Sequence, residues 1–313
     1  MNGLELCRAF YETHGRPMLE AEFSDLLPFL AVGVFGSGSE CFGYDDEISR
    51  DHDFEPGFCI FLPEEEIISR RQAFLLERAY SRLPRSFQGV ERALLQPVGG
   101  PRRGVFRTEE FFQKLIGSSN GALTIAQWLS LPEQALAEAT NGEVYADPFG
   151  EVSRIRACLR YYPEDVRLKR LAGHLLLMGQ SGQYNYARCL AHGETAAAQL
   201  AVGEFVRSAL SAVFLLNRRY QPYYKWRFRA LRDLERLHDL AAPLETLLTT
   251  GNDPDTAKRK TELIESVSAA VLALVREQNL TDAVGDDLER HAYAVNSLVQ
   301  DPELRNLHVL AAV

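Results

Sequence analysis

The stretch from Val32 to Leu62, VGVFGSGSECFGYDDEISRDHDFEPGFCIFL, constrains this chain more than any other. An apolar run of strand type, Leu30 to Phe35, breaks into a loop of small residues, Gly36-Ser37-Gly38-Ser39. A polar segment follows, and Asp51-His52-Asp53 leads into a second apolar run, Phe58 to Leu62. Residues two apart on an extended strand share a face, which predicts that Asp51 and Asp53 project together while His52 points the other way. Glycine lets backbone approach a ligand closely, and a serine hydroxyl can donate to a phosphate oxygen. Two carboxylates beside such a loop suit a divalent cation that carries a nucleotide phosphate. Gly36, Ser37 and, less directly, Ser39 are therefore the candidate phosphate holders. Asp51 and Asp53 are the candidate metal ligands for Mg²⁺ or Mn²⁺. The neighbouring Asp45 and Asp46 read as a solvated or capping pair.

A Gly-Ser turn after one strand and Asp-x-Asp on the next resembles the nucleotidyltransferase superfamily that includes DNA polymerase beta and the aminoglycoside nucleotidyltransferases. The wording GSGSECFGYDDEISRDHDFEP, with YNYAR and LNRRYQPYYKW further on, resembles a bacterial family of that superfamily known as a domain of unknown function. The resemblance implies transfer of a nucleoside monophosphate from an NTP, with ATP the default, to a hydroxyl of an acceptor, with release of pyrophosphate. It also implies a third carboxylate from a neighbouring strand. Asp147, at the end of the EVYAD run, is the candidate catalytic and metal-binding residue, with Glu143 the alternative. A nucleotide-binding module without transfer activity and an enzyme directed at RNA are the competing readings.

The 313 residues suffice for two domains or one large one. A formal net charge of −9 argues against bulk nucleic acid as the main partner, because phosphate binding needs a basic surface. A small nucleotide needs only a few local cations. The five cysteines form no CxxC pair, and their odd number predicts free thiols in a reducing, cytoplasmic setting. Neither a signal peptide nor an uncharged apolar run long enough to span a bilayer is read, so no membrane role is expected.

Periodicity predicts helices at 4–14, 64–82, 109–116 and 125–139, a short strand at 105–107, and a strand at 143–147. From 151 onward only helical stripes remain, at 164–179, 183–192, 194–217, 222–248, 256–278 and 285–299. The predicted architecture is α+β: a small mixed nucleotidyltransferase-type sheet with flanking helices over 1–150, and an α-helical bundle over 151–313 that shapes the acceptor cleft. Three clusters stand out in the helical half: Arg154 and Arg156, cations just after the 143–147 strand, and two that pair aromatic rings with cations, as stacking on a base and holding a triphosphate require. Gln183 to Arg188 sets Tyr184 and Arg188 one turn apart, and Asn217 to Trp226 includes Tyr220 and Lys225. Arg188 and Lys225 are the candidate nucleotide contacts. The same aromatic residues also suit a packed helix corner with snorkelling cations. Arg232 and His238 loosely match the Arg-x(4–6)-His spacing of a helical ribonuclease family, a spacing common in charged helices.

Overall fold

The computed structural model describes residues 2–48, 54–92 and 102–313. The chain is α+β and divides into two compact units. The first comprises residues 1–123 with 132–160, and the second comprises 124–131 with 161–313. The division therefore falls after 160 rather than at 150, and one helical turn of the first half belongs to the second unit.

In the first unit the N-terminal helix α1 (Gly3–Phe10) opens on an Asn2/Glu5 capping box. It does not end near residue 14, as its stripe predicts. A π-helical turn, Tyr11–Gly15, carries it into α2 (Arg16–Glu22). At this turn the α-carbon of Gly15 lies against the Phe58 ring, so closely that an added Cβ would come within 2.4 Å of it. Strands β1 (Ala31–Val34) and β2 (Cys59–Leu62) follow, then helix α3 (Arg70–Ser81). Helix α3 starts at its Ser69/Gln72 capping box rather than at residue 64. Its buried face is Leu76, Ala79 and Tyr80, while Phe74 is 62% exposed. A hairpin of β3 (Ser86–Phe87) and β4 (Val90–Glu91) leads towards β5 (Gly104–Arg107) and α4 (Thr108–Ile116).

The helical pattern at 125–139 breaks at Leu131-Pro132, because proline disfavours helix in the residue before it and has no N–H to donate. The result is α5 (Ile125–Ser130) in the second unit and α6 (Glu133–Thr140) in the first. Strand β6 (Glu143–Ala146) and helix α7 (Glu151–Cys158) complete the first unit. The sheet order is β5-β2-β1-β6, with β2 parallel to β5 and both β2 and β6 antiparallel to β1. Val32, Val34, Ile60 and Leu62 join the core formed with Phe10, Tyr11, Leu76 and Tyr80. Phe35 and Phe61 stack at 4.7 Å, and Phe111 of α4 meets both rings edge-on. Covering both faces explains why β2 is an unbroken apolar run rather than an alternating one.

In the second unit α8 (Glu164–Met178) runs into a π-helical segment, Gly179–Tyr186, and the short α9 (Ala187–Ala191). Gly182 lets this segment lie against Phe205, 2.4 Å from where a Cβ would stand. The apolar α10 (Thr195–Leu216) packs along α8. Among the described residues it is the one helix long and apolar enough to cross a membrane, and 67% of its most apolar window is buried within the fold. The predicted helix at 222–248 is instead two short helices, α11 (Arg227–Arg232) and α12 (Ala241–Thr249), separated by a 3₁₀ turn. Leu237 there takes a left-handed conformation (φ 62°) that stops helical propagation. Helices α13 (Pro254–Glu277), α14 (Leu288–Ser297) and α15 (Pro302–Asn306) each follow an aspartate N-cap, Asp253, Asp287 and Asp301.

Candidate phosphate-binding loop and its cavity

The loop leaving β1 is held from three sides. Gly36 and Gly38 have φ of +112° and +126°, a region open to glycine and strained for other residues. The Asn141 side chain grips the Gly36 peptide at both ends: Gly36 N–H donates to Asn141 Oδ1 at 2.9 Å, and Asn141 Nδ2 donates to Gly36 O at 2.8 Å. Asn141 caps the end of α6 and is itself fixed by Arg156. That guanidinium donates to the carbonyls of Ala139, Thr140 and Asn141 at 2.8–3.2 Å and lies 4.6 Å over the Phe35 ring. Burial lowers the Arg156 pKa to about 10, so it still carries its charge at neutral pH. Cationic side chains at a helix C-terminus satisfy its orphan carbonyls.

The second support is Cys41, whose thiol meets Ser37 O at 3.8 Å and whose carbonyl accepts from Gly142 N at 2.9 Å. The third is Glu40, which forms a 2.6 Å ion pair with Arg103; the two side chains are only 7% and 6% exposed. Burial alone would lower the Arg103 pKa, yet its charged neighbourhood, with the Glu40 carboxylate in direct contact, raises it and keeps the guanidinium charged. Burial pushes the thiol of Cys41 up to about 12 and that of Cys59 up to about 11, so both are neutral and unreactive. All five cysteines are free thiols.

The inner side of the loop is so engaged; its outer side is different. Ser37 is exposed. Among the described residues, nothing accepts from its hydroxyl or from the backbone N–H groups of Ser37, Gly38 and Ser39. Ser39 instead uses its carbonyl to close a turn, accepting from Phe42 N and Tyr44 N. Gly36 and Ser37 line a cavity of about 620 Å³ within the first unit. Its walls include Phe106 and Phe111, the cations Arg102 and Lys114, and the carboxylates Glu77 and Glu138.

Asp51, His52 and Asp53 lie outside the described residues. Gly33 pairs with Cys59, so β2 enters the sheet at the end where β1 leaves it, beside the loop. Strand β6, antiparallel to β1 like β2, also enters the sheet at the loop end: Glu143 pairs with Val34 and Ala146 with Val32. Asp147 therefore follows β6 at the end of the sheet remote from Gly36. Its two carboxylate oxygens accept from Gly150 N at 2.9 Å and Ser153 N at 2.7 Å, securing the start of α7. The structure does not bring Asp147 to the loop, and its role is that of a capping residue. Glu143 stands at the loop end of β6 and is ion-paired with Arg8 at 2.9 Å. Among the described residues, no three His, Cys, Asp or Glu side chains are grouped as a metal site.

Arg188 and Lys225 belong to the second unit. The Arg188 guanidinium lies 5.0 Å over the ring of Tyr184, and Lys225 Nζ lies 5.0 Å over that of Trp226. Tyr220 packs at 5.0–5.2 Å against Tyr161 and Tyr162. Arg232 forms an ion pair with Glu245. The supports that sequence reasoning missed are Asn141, Glu40 and Arg103, and Arg156, expected as a phosphate-holding cation, instead donates to backbone carbonyls. Only Asn141-Gly142 carried a signal, that of a helix stop.

A family model described as "Domain of unknown function (DUF4037)" matches residues 128–227, about a third of the chain. The match includes Asn141 and Arg156 but not the loop itself. No curated protein and no solved structure matches the chain.

Proposed function

We propose that the first unit binds a nucleoside triphosphate at the Gly36–Ser39 loop and transfers its nucleoside monophosphate to a hydroxyl of an acceptor. One observation carries the reading. A Gly-Ser loop is clamped from within, has Ser37, Gly38 and Ser39 N–H groups with no acceptor among the described residues, lines a cavity, and stands beside the end of the sheet where β2 enters at Cys59. Such a loop offers an anion a set of oriented N–H groups at no cost of reorganisation. In the reaction the acceptor oxygen attacks the α-phosphorus, the bond to the bridging oxygen breaks, and pyrophosphate leaves. Asp51 and Asp53 are the residues that would hold Mg²⁺ or Mn²⁺, which neutralises triphosphate charge when bound. Arg102 and Lys114 add positive charge along the same cavity. Of the two carboxylates on the β6 segment, we take Glu143 rather than Asp147 as the candidate for receiving the acceptor proton, because it stands at the loop end of the strand.

Calorimetric titration of each NTP with Mg²⁺, on the wild type and on Asp51→Asn/Asp53→Asn, tests the reading. Metal-dependent binding that disappears in the double variant supports it; no binding of any NTP by the wild type sinks it. A nucleotide-binding module without transfer is the second reading, favoured by the engagement of Glu143 with Arg8 and of Asp147 with α7. NTP binding without pyrophosphate release across an acceptor screen would favour that module.

A further inference from the structure

We infer that the buried Arg103–Glu40 ion pair is a positioning element of the loop, holding Gly36–Ser39 in the shape that receives a triphosphate. The inference rests on the reading of that loop as a phosphate holder. A Cβ placed on Gly38 would lie 2.4 Å from both Glu40 carboxylate oxygens, so the carboxylate fills the space beneath the loop. Glu40 cannot drift from there. Its own Cβ is covered by Gly3, where an added Cβ would come within 2.5 Å, and its Oε1 is bonded to Arg103 Nη2 at 2.6 Å. The Arg103 stem passes close to Gly57, where a Cβ would stand 3.1 Å from Cγ, and its Nη1 donates to Arg102 O at 3.1 Å. The Cys59 thiol meets the same Arg102 carbonyl at 3.3 Å.

One guanidinium thus links the carboxylate under the loop to the residue whose side chain lines the cavity. A buried ion pair adds little net stability compared with an apolar pair of similar size, although removing one partner is strongly destabilising. That asymmetry separates a structural role from a positioning one. Glu40 is not a catalytic residue in this account, since it touches the loop from the inner side. Neutral groups of similar volume would fill the same space but would not hold Gly38 in one place. The loop would then sample conformers in which its N–H groups no longer converge.

The test is a double-mutant cycle of Glu40→Gln, Arg103→Met and the two together, with melting temperature, inorganic triphosphate affinity with Mg²⁺, and amide hydrogen exchange over residues 36–42 as readouts. Arg103→Met alone strands a buried carboxylate and lowers the melting temperature. The double variant should recover most of that loss, yet bind triphosphate about tenfold more weakly or worse, with faster exchange in the loop. A double variant with wild-type affinity and wild-type exchange would overturn the inference. Failure of the wild type to bind triphosphate would overturn the nucleotide reading instead. Exchange would then decide the mechanical claim: faster exchange in the double variant upholds it, and wild-type exchange overturns it.

Discussion

Both units bury cations, some paired with carboxylates (Arg103 with Glu40, Arg167 with Glu164) and some not, but they put them to different use. In the first, the Arg103–Glu40 pair supports a loop whose Ser37, Gly38 and Ser39 N–H groups find no acceptor among the described residues. In the second, two lysines are fully buried among neutral groups. Lys169 Nζ donates to Leu307 O at 2.6 Å and Asn296 Oδ1 at 2.9 Å, and Lys260 Nζ donates to Thr250 O and Gln199 Oε1 at 2.8 Å each. Burial lowers the pKa of both lysines. Their donors are consumed in closing chain segments onto the helices, which is work internal to the fold. The first unit uses its polar interior to keep a surface loop ready for something else. Buried polar groups alone do not mark a functional site; what matters is whether their neighbours keep free donors and acceptors that face solvent.

The largest effect that can test this contrast is in the second unit. His174 is buried with no hydrogen-bond partner for Nδ1. Burial first, then Arg170, Arg207 and Arg227, lower its pKa from 6.5 to about 3. The unfolded chain therefore takes up this proton before the folded one does. The stability involved is fully present above pH 6.5 and is lost as pH falls towards 3, to a total of roughly 5 kcal/mol. Urea unfolding across that range should show a steep acid limb that His174→Leu flattens. An unchanged limb in the variant would place the titration elsewhere.

Next comes Asn141→Ala, which removes both bonds to Gly36 and should cost about 2–3 kcal/mol. If the first unit's polar groups shape a site, triphosphate affinity falls further than stability explains. If the two losses match, the contrast between the units collapses. Lys169→Met should cost about 2 kcal/mol by leaving Leu307 O and Asn296 Oδ1 without their donor, and should speed amide exchange over residues 302–313. Its triphosphate affinity should equal that of the wild type. The smallest effect belongs to Asp147→Ala, the loss of a cap to α7, about 1 kcal/mol with pyrophosphate release nearly unchanged. A drop in turnover of several hundredfold would instead return Asp147 to the reaction.

Much of the scaffold was legible before any coordinates. The apolar runs at 30–35 and 58–62, the loop between them, the Asp253-Pro254 start of α13 and the bare apolar stretch of α10 are local patterns, and local patterns report local structure. Three misread stripes have bounds the pattern does not contain: 4–14 continues through the turn where Gly15 passes under Phe58, 64–82 becomes helical only after Ser69, and 222–248 is broken around the left-handed Leu237. Asp147 shows the same limit at the site. A carboxylate at the end of a strand is equally plausible whichever way that strand runs, and antiparallel pairing with β1 put Glu143, not Asp147, beside the loop.

The sequence by itself determined that a strand would break into a Gly-Ser loop and that an acidic pair would precede the next strand. Only the tertiary structure decided what holds the loop. Asn141 is 105 residues from Gly36, and Arg103 is 63 from Glu40. Contacts at such separations are set by strand order and helix packing, and leave no period or spacing in the chain that one could read.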